Sequence, residues 1–440
     1  MKRWICAFLA VLMMLSLVPA CFATPDEDNT VEPVPETKAQ NVLLMSVETG
    51  AVLYEKAADE QIHPASTTKI MTLVIALENC SDLQATVTAS EHFDDDLVIG
   101  SSGITVKEGE IFTVEQLLYA VAIASANDAS NVLAEYVGGS IEEFVKMMND
   151  KAVSLGMKNT RFANAHGLTA DGHYTSARDM SILMEYALGV DLFRTLMSTY
   201  ARAIPATNKT ERRVISTTNS MVSSVSSNYY RYARGGKTGT TTPAGYNLVS
   251  WASKNDREYI CVAMHADKKS SYSNPIFSDS KALYEWAFDN FTTRQIVNVN
   301  DPQQEVAVEL SAEKDYVVLT AKENLSAVLR KDVNIEDLTY TLEVPEQVLA
   351  PVYKGDVIGR ITVSQDGIVL GTTELIADED ISRSTVLYYL YCIRQFIAKP
   401  WVQIVGGILI LLIILYIILM IRRNRARRRR IVRLKTRLRY

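Results

Sequence analysis

Ser66 and Lys69, in the stretch His63 to Thr72 that reads HPASTTKIMT, are the first side chains in this 440-residue chain with the types and spacing for covalent chemistry. A serine hydroxyl is a poor nucleophile near neutral pH and needs a base within hydrogen-bond reach. Three residues apart on a helix, an amine and a hydroxyl share a face. The apolar run Ile70, Met71, Leu73, Val74, Ile75, Leu77 predicts that helix, and Pro64 suits the chain's entry into it. The pair alone is a weak sign, because about two S-x-x-K matches are expected by chance in a chain of this length. Ser311 and Lys314 form another, in a strand-like stretch with nothing around it, and read as two solvated polar residues.

Two further patches carry groups that a serine acyl-transfer site would need. Thr113 and Gln116 form a capping-box pattern ahead of Leu117, Leu118, Val121 and Ala122, predicting a helix that ends near Ser125. Asp128 to Val137 reads as the next helix, closed by Gly138-Gly139, so Ser125-Ala126-Asn127 falls in the loop between them. The S-x-N pattern recurs at 226–228 and 253–255, and taken alone the tripeptide is a plain loop. Ser140 with Glu143 starts a further helix, whose Ile141, Phe144, Val145 and Met148 face the core. Gly235-Gly236-Lys237-Thr238-Gly239-Thr240 is expected just ahead of a strand pair, Gly245 to Trp251 and Tyr259 to His265. A lysine and a hydroxyl beside a glycine that admits a ligand to the backbone suit a carboxylate. Asn164, His166, Gly167, Leu168 and His173 are the one local histidine cluster; their spacing does not match zinc sites, so a structural or substrate-edge loop is expected and no metal.

The order Ser66/Lys69, Ser125/Asn127, Lys237/Thr238/Gly239 resembles the motif set of penicillin-binding proteins and serine β-lactamases. PASTTKIMT, NAHGL with HYTSARDM, and GGKTGTTTPAGYNLV are similar to the D-alanyl-D-alanine carboxypeptidases of low molecular mass, over about residues 40 to 385. The resemblance implies an α+β fold, a penicillin-binding/serine β-lactamase-like domain of a helical region plus an antiparallel sheet followed by a β domain; the strand pattern reads as a small β-sandwich, and an uncharged C-terminal stretch as a transmembrane helix. It implies that Ser66 attacks the penultimate D-alanine carbonyl of a peptidoglycan pentapeptide, with Lys69 as base. Ser125 would pass the proton to the leaving amine, Asn127 would bind the substrate backbone, and Lys237 with Thr238 would receive the terminal carboxylate. The N–H groups of Ser66 and Thr240, beside Gly239, would form the oxyanion hole. β-Lactams would acylate Ser66, and no cofactor is implied. Ala126 stands where many relatives carry glycine. The arginine expected ahead of the domain's last helix is missing between Ser271 and Ser280, with Lys268 or Lys269 as substitutes. The rival readings are a β-lactamase, an endopeptidase, and a non-catalytic wall-binding scaffold.

The elements around these residues place them outside the cytoplasm. Lys2 and Arg3, an apolar run from Trp4 to Ala20, and Ala23 have the layout of a signal peptide over residues 1–23, with a retained anchor or a lipoprotein signal at Cys21 as alternatives. Residues 24–40, rich in Pro, Glu and Asp, are expected to form a flexible leader. From Asn41 a hairpin, turning at Glu48-Thr49-Gly50, opens a catalytic domain over 41–293, closed by a helix with Leu283, Trp286, Ala287 and Phe291. Short alternating strands follow over 294–385, with a hairpin around Asp366-Gly367. A juxtamembrane linker is expected over 386–400, an uncharged membrane span over 401–421, and a tail over 422–440 whose ten arginines and one lysine mark the cytoplasmic side. Taking those eleven charges, Lys2 and Arg3 from the whole-chain value of −6 leaves about −19 for 24–421, which excludes a nucleic-acid role. Cys80, Cys261 and Cys392, the cysteines left after cleavage, suggest no disulfide framework.

Overall fold

The computed structural model describes residues 32–267 and 274–437, with side chains through Arg428. The signal-peptide segment therefore lies outside the described residues. The chain divides into two units: one runs to Arg294 and takes back Ala327–Glu336, the other holds Gln295–Ser326 and the chain from Asp337 onward.

The first unit is built on a five-stranded antiparallel sheet of β1 (Asn41–Ser46), β2 (Val52–Lys56), β7 (Ala233–Thr241), β8 (Gly245–Lys254) and β9 (Arg257–Ala266), in the order β2-β1-β9-β8-β7. All six residues of β1 are buried, because side chains of alternate parity enter different cores. Leu43 and Met45, with Val249, Trp251, Ile260, Val262 and Met264, face a large helical layer. Val42 and Leu44, with Leu248, Cys261 and Ala263, face the C-terminal helix of the unit, α7 (Pro275–Asn290). The helical layer holds α1 (Lys69–Asn79), α2 (Val114–Ala122), α3 (Asn127–Gly138), α4 (Ile141–Ser154), α5 (Ala177–Leu188) and the short α6 (Phe193–Ser198). Every residue of α1 from Lys69 to Ala76 is buried, as expected of a helix apolar on all sides. Two small hairpins border this layer, β3 (Thr86–Thr88) with β4 (Ile111–Thr113) and β5 (Ala201–Ile204) with β6 (Arg213–Ser216).

The caps read from sequence are present. Thr113 and Gln116 bond reciprocally at the start of α2, the Ser140 hydroxyl accepts from the Glu143 N–H at α4, and Gly139 ends α3 in left-handed conformation. The K-T-G motif precedes the expected strand pair, β8 and β9, and itself lies inside a strand, β7, at the sheet edge. One expectation needs correction. Residues 32–40 of the expected flexible leader are docked on α7. The Asp279 carboxylate accepts from the N–H groups of Lys38 (2.8 Å) and Ala39 (2.7 Å), and the Trp286 indole N–H donates to the Glu32 carbonyl at 2.9 Å. Backbone donors satisfied by a buried carboxylate offset the entropy that composition alone assigns to a free segment.

The second unit is a β domain on a six-stranded sheet, β14 (Thr339–Glu343), β16 (Val357–Gln365), β17 (Ile368–Ala377), β12 (Tyr316–Ala321), β11 (Pro302–Glu309) and β15 (Gln347–Leu349), in that order. Only the β11/β15 pair is parallel among the pairings recorded for this sheet. Asp366 (φ +50°) and Gly367 (φ +82°) make the two-residue turn between β16 and β17. The remaining strands of the chain, β10 (Phe291–Val297) and β13 (Leu325–Arg330), form a two-stranded ribbon. The expected linker is largely a helix, α8 (Thr385–Ala398), capped by the Ser384 hydroxyl; α9 (Pro400–Arg437) follows. Among the described residues one helix, over 400–428, is long and apolar enough to cross a membrane, with an 18-residue window of mean hydropathy 3.3.

Replacing the carboxylate that holds the N-terminal strap, Asp279→Ala, is expected to lower the stability of the first unit by about 2 kcal/mol. It should also open residues 32–40 to protease. Urea unfolding and limited proteolysis check this; an unmoved midpoint with unchanged cleavage would remove the strap from the account.

Candidate active site

Ser66 lies in the 3-10 turn Ala65–Thr68 that leads into α1, directly after Ala65 at φ +49°. Left-handed backbone at a non-glycine residue costs of order 1–3 kcal/mol and persists only where neighbours impose it. The neighbours here are hydrogen bonds. Asn247 of β8 donates from Nδ2 to the carbonyls of His63 (2.9 Å) and Pro64 (3.0 Å), and its Oδ1 accepts from the His265 N–H. The Thr67 hydroxyl donates to the Pro64 carbonyl at 2.7 Å. Gly167, at φ +89°, presses so closely on the same turn that a Cβ there would lie 2.0 Å from the Ala65 carbonyl oxygen. Ser66 itself stays partly open to solvent.

Lys69 is fully buried, with Nζ 3.2 Å from Ser66 Oγ and 2.6 Å from Asn127 Oδ1; it also donates to the His166 carbonyl. Burial first, and the like charge of Lys237 second, hold its amine well below the ordinary lysine range, with Asp128 opposing in part. Lys237 is also fully buried, which alone lowers it to about 7. Its Nζ donates to Ser125 Oγ at 2.9 Å and to the Thr238 carbonyl at 3.1 Å. Ser125 sits at φ +59°, a second strained residue at the same place. Gly239 is the close approach between β7 and the nucleophile turn: a Cβ there would meet the Pro64 carbonyl oxygen and the Ser66 nitrogen, each at 2.9 Å. Thr238 touches the Thr218 hydroxyl with its own, and Thr240 is exposed on the same strand.

The structure thus brings Ser66, Lys69, Ser125, Asn127, Lys237, Thr238 and Gly239 together from three separate stretches of chain. Ala126 fits fully buried at the start of α3. Lys268 and Lys269 lie outside the described residues. Ser311 and Lys314 sit in the turn between β11 and β12, where Ser311 Oγ accepts from the N–H groups of Glu313 and Lys314, and Lys314 pairs with Glu379. The histidine loop is a support. His173 Nδ1 accepts from the Ala163 N–H and its Nε2 lies 2.9 Å from the Thr68 hydroxyl, while burial pushes the ring down to about 3. Among the described residues no group of three or more His, Cys, Asp or Glu is placed to hold a metal ion. Cys80, Cys261 and Cys392 are free thiols.

Sequence reasoning missed the residues that hold the site from behind. Asn247 is a buried polar residue in a largely apolar strand, and that mismatch was the available signal; Asp128, among Asn127, Ser130 and Asn131, offered none. The Asp128 carboxylate accepts from the N–H groups of Ile104, Val106 and Ala129, fixing the loop before α2 against the start of α3. A hydroxyl beside a depressed amine, a second hydroxyl on a second lysine and a backbone passing within van der Waals contact of the nucleophile are the parts of a covalent acyl-transfer site.

Comparison with known proteins agrees with this chemistry. Residues 27–268 match the family described as D-alanyl-D-alanine carboxypeptidase, and residues 291–383 match the C-terminal domain of penicillin-binding protein 5. The chain is 32% identical over 394 residues to the D-alanyl-D-alanine carboxypeptidase DacF of Bacillus subtilis, covering 89% of this chain and 97% of that one. It is 33% identical over 382 residues to DacC of Escherichia coli, covering 82% and 88%. Among solved structures, penicillin-binding protein 5 from Haemophilus influenzae matches with a TM-score of 0.67 at 28% identity, covering 80% of this chain and all of that one. The chain belongs to the D-alanyl-D-alanine carboxypeptidase family, the serine-type peptidases among the penicillin-binding proteins.

Proposed function

We propose that this carboxypeptidase works through an acyl-enzyme on Ser66, releasing the terminal D-alanine of peptidoglycan stem pentapeptides. The observation that carries this reading is a partly open serine oxygen 3.2 Å from a fully buried lysine amine. A neutral Lys69 accepts the Ser66 proton as Oγ bonds to the penultimate carbonyl carbon. The N–H groups of Ser66 and Thr240 hold the oxyanion that forms, and the close pass of Gly239 over the nucleophile turn supports that pairing. The carbon–nitrogen bond then breaks, and the proton reaches the leaving amine through the Ser125 hydroxyl. Water, deprotonated by the same lysine, releases the shortened peptide.

Substrate orientation follows from charge and from the sheet edge. Lys237 and Thr238 receive the terminal carboxylate, helped by Lys268 or Lys269, and Asn127 bonds the peptide backbone. The peptide itself lies along β7, whose outer edge has no partner strand in the sheet order, a ready acceptor for an added strand. β-Lactams acylate Ser66 and block the site.

The domain assignment is also a proposal. Residues 1–23 serve as a signal peptide and 24–40 as leader. Residues 41–293 carry catalysis, 294–385 act as a spacer, and 386–400 join the spacer to the membrane. The 401–421 segment spans the bilayer with 422–440 in the cytoplasm. Mean hydropathy of 3.3 over the apolar 18-residue window of the helix and the ten arginines beyond residue 421 support this topology.

Three measurements test these statements. Fluorescent penicillin should label the full chain in detergent and leave Ser66→Ala unlabelled, with D-alanine released from a pentapeptide by the wild type alone; folded wild type that takes no label would sink the mechanism. Acylation should rise with pH through the depressed Lys69 value, because only the neutral amine is a base. Lys237→Met removes the like charge, so that rising limb should move to higher pH while the acylation rate falls roughly a hundredfold. A limb that stays in place would mean the two amines do not sense each other. For the topology, trypsin added to intact spheroplasts should spare the arginine tail; cleavage there would reverse the orientation.

A further inference from the structure

A neutral lysine has two N–H hydrogens and one lone pair. To act as a base on Ser66 its lone pair must point at Oγ, so something must fix where the hydrogens go. At Lys69 two acceptors do this, Asn127 Oδ1 and the His166 carbonyl. They come from different elements: Asn127 opens α3, and His166 lies in the loop between α4 and α5. Their relative position sets the direction of the lone pair.

One carboxylate joins those elements. Asp96 Oδ2 accepts from His166 Nε2 at 2.9 Å, and Asp96 Oδ1 accepts from Asn131 Nδ2 at 2.7 Å. Asn131 is one turn beyond Asn127 on α3, and its Nδ2 also donates to the Phe93 carbonyl, so the amide orientation is fixed by two acceptors. The His166 tautomer is fixed as well. Its Nδ1 accepts from the Leu168 N–H at 3.1 Å, which leaves the proton on Nε2, facing Asp96. The imidazole is 1% exposed, whereas the Asp96 side chain is 44% exposed at the wall of an open groove of about 670 Å³. Asp96 contacts neither Lys69 nor Ser66 in any recorded hydrogen bond or ion pair.

We propose that Asp96 is a positioning residue for the lysine base: its two oxygens clamp the histidine loop to α3, and thereby hold the two acceptors that aim the Lys69 lone pair at Ser66. This rests on the reading of Lys69 as base. The role differs from simple support of the fold, since it predicts a loss in the chemical step and not in the binding of ligand.

The experiment uses the full-length chain in detergent and follows acylation by fluorescent penicillin, separating the non-covalent dissociation constant from the maximal acylation rate. Asp96→Ala is expected to lower the maximal rate roughly tenfold, the scale for a displaced reacting group, with the dissociation constant within twofold and labelling still going to completion. Asp96→Asn keeps one acceptor for His166 Nε2 and should recover part of the rate. The double variant Asp96→Ala/His166→Ala should lose no more than the worse single variant, because both cut the same link. An unchanged rate in Asp96→Ala, or losses that multiply in the double variant, would overturn the inference while leaving a labelled wild type and its serine mechanism intact. An unlabelled, folded wild type would instead overturn the mechanism. If the variants do not fold, nitrogen NMR of histidine-labelled wild type decides: His166 with its proton on Nε2 is required, and a proton on Nδ1 would refute the clamp.

Discussion

Two lysine amines are buried close enough to sense each other, with no carboxylate bonded to either among the described residues, and much of the catalytic unit follows from that constraint. Lys69 and Lys237 meet only hydroxyl, amide and backbone oxygens. The nearest acid that acts on Lys69, Asp128, spends its oxygens on backbone N–H groups. A charge removed from water without a counter-ion is expensive, so each amine is pushed toward its neutral form. Burying Lys69 requires α1 to be covered on every side, which the rest of the helical layer and one face of the sheet do. It also requires strained backbone at Ala65 and Ser125, the residues that aim the two hydroxyls.

The chemistry-bearing residues were legible because each belongs to a short local pattern: a serine and lysine at helical spacing, a tripeptide between two capped helices, a glycine-bounded lysine. The supporting residues were not, because their partners are distant in sequence. Asn247 bonds carbonyls 183 and 184 residues away, and Asp96 reaches His166 across 70. No local pattern encodes such a pair. The histidine cluster was readable as structural, but not which residue held it, since Asp96 lies in an acidic loop that resembles a solvated surface.

Element types were recovered where periodicity was clean. The hairpin β1/β2, the capped helices α2, α3 and α4 and the alternating strands of the β domain fall close to expectation. β7 has no strand signal in the sequence because Gly235, Gly236 and Gly239 weaken strand propensity; in the fold those glycines are the residues that fit against Trp251, Ser250 and the nucleophile turn. The leader was misjudged. Composition measures how little apolar surface a segment can bury, and residues 32–40 are held mainly by backbone hydrogen bonds to Asp279, Trp286 and Asn290.

As the proposed membrane anchor, the helix over 400–428 would change what limits the reaction. With that helix in a bilayer, the enzyme diffuses over an area and its polymeric substrate does not diffuse at all. Encounter is then governed by local concentration, fixed by how far the tethered site reaches above the lipid, and not by bulk amounts of either partner. Under the proposed anchorage, substrate beyond the reach of the tether would go untrimmed however abundant it is.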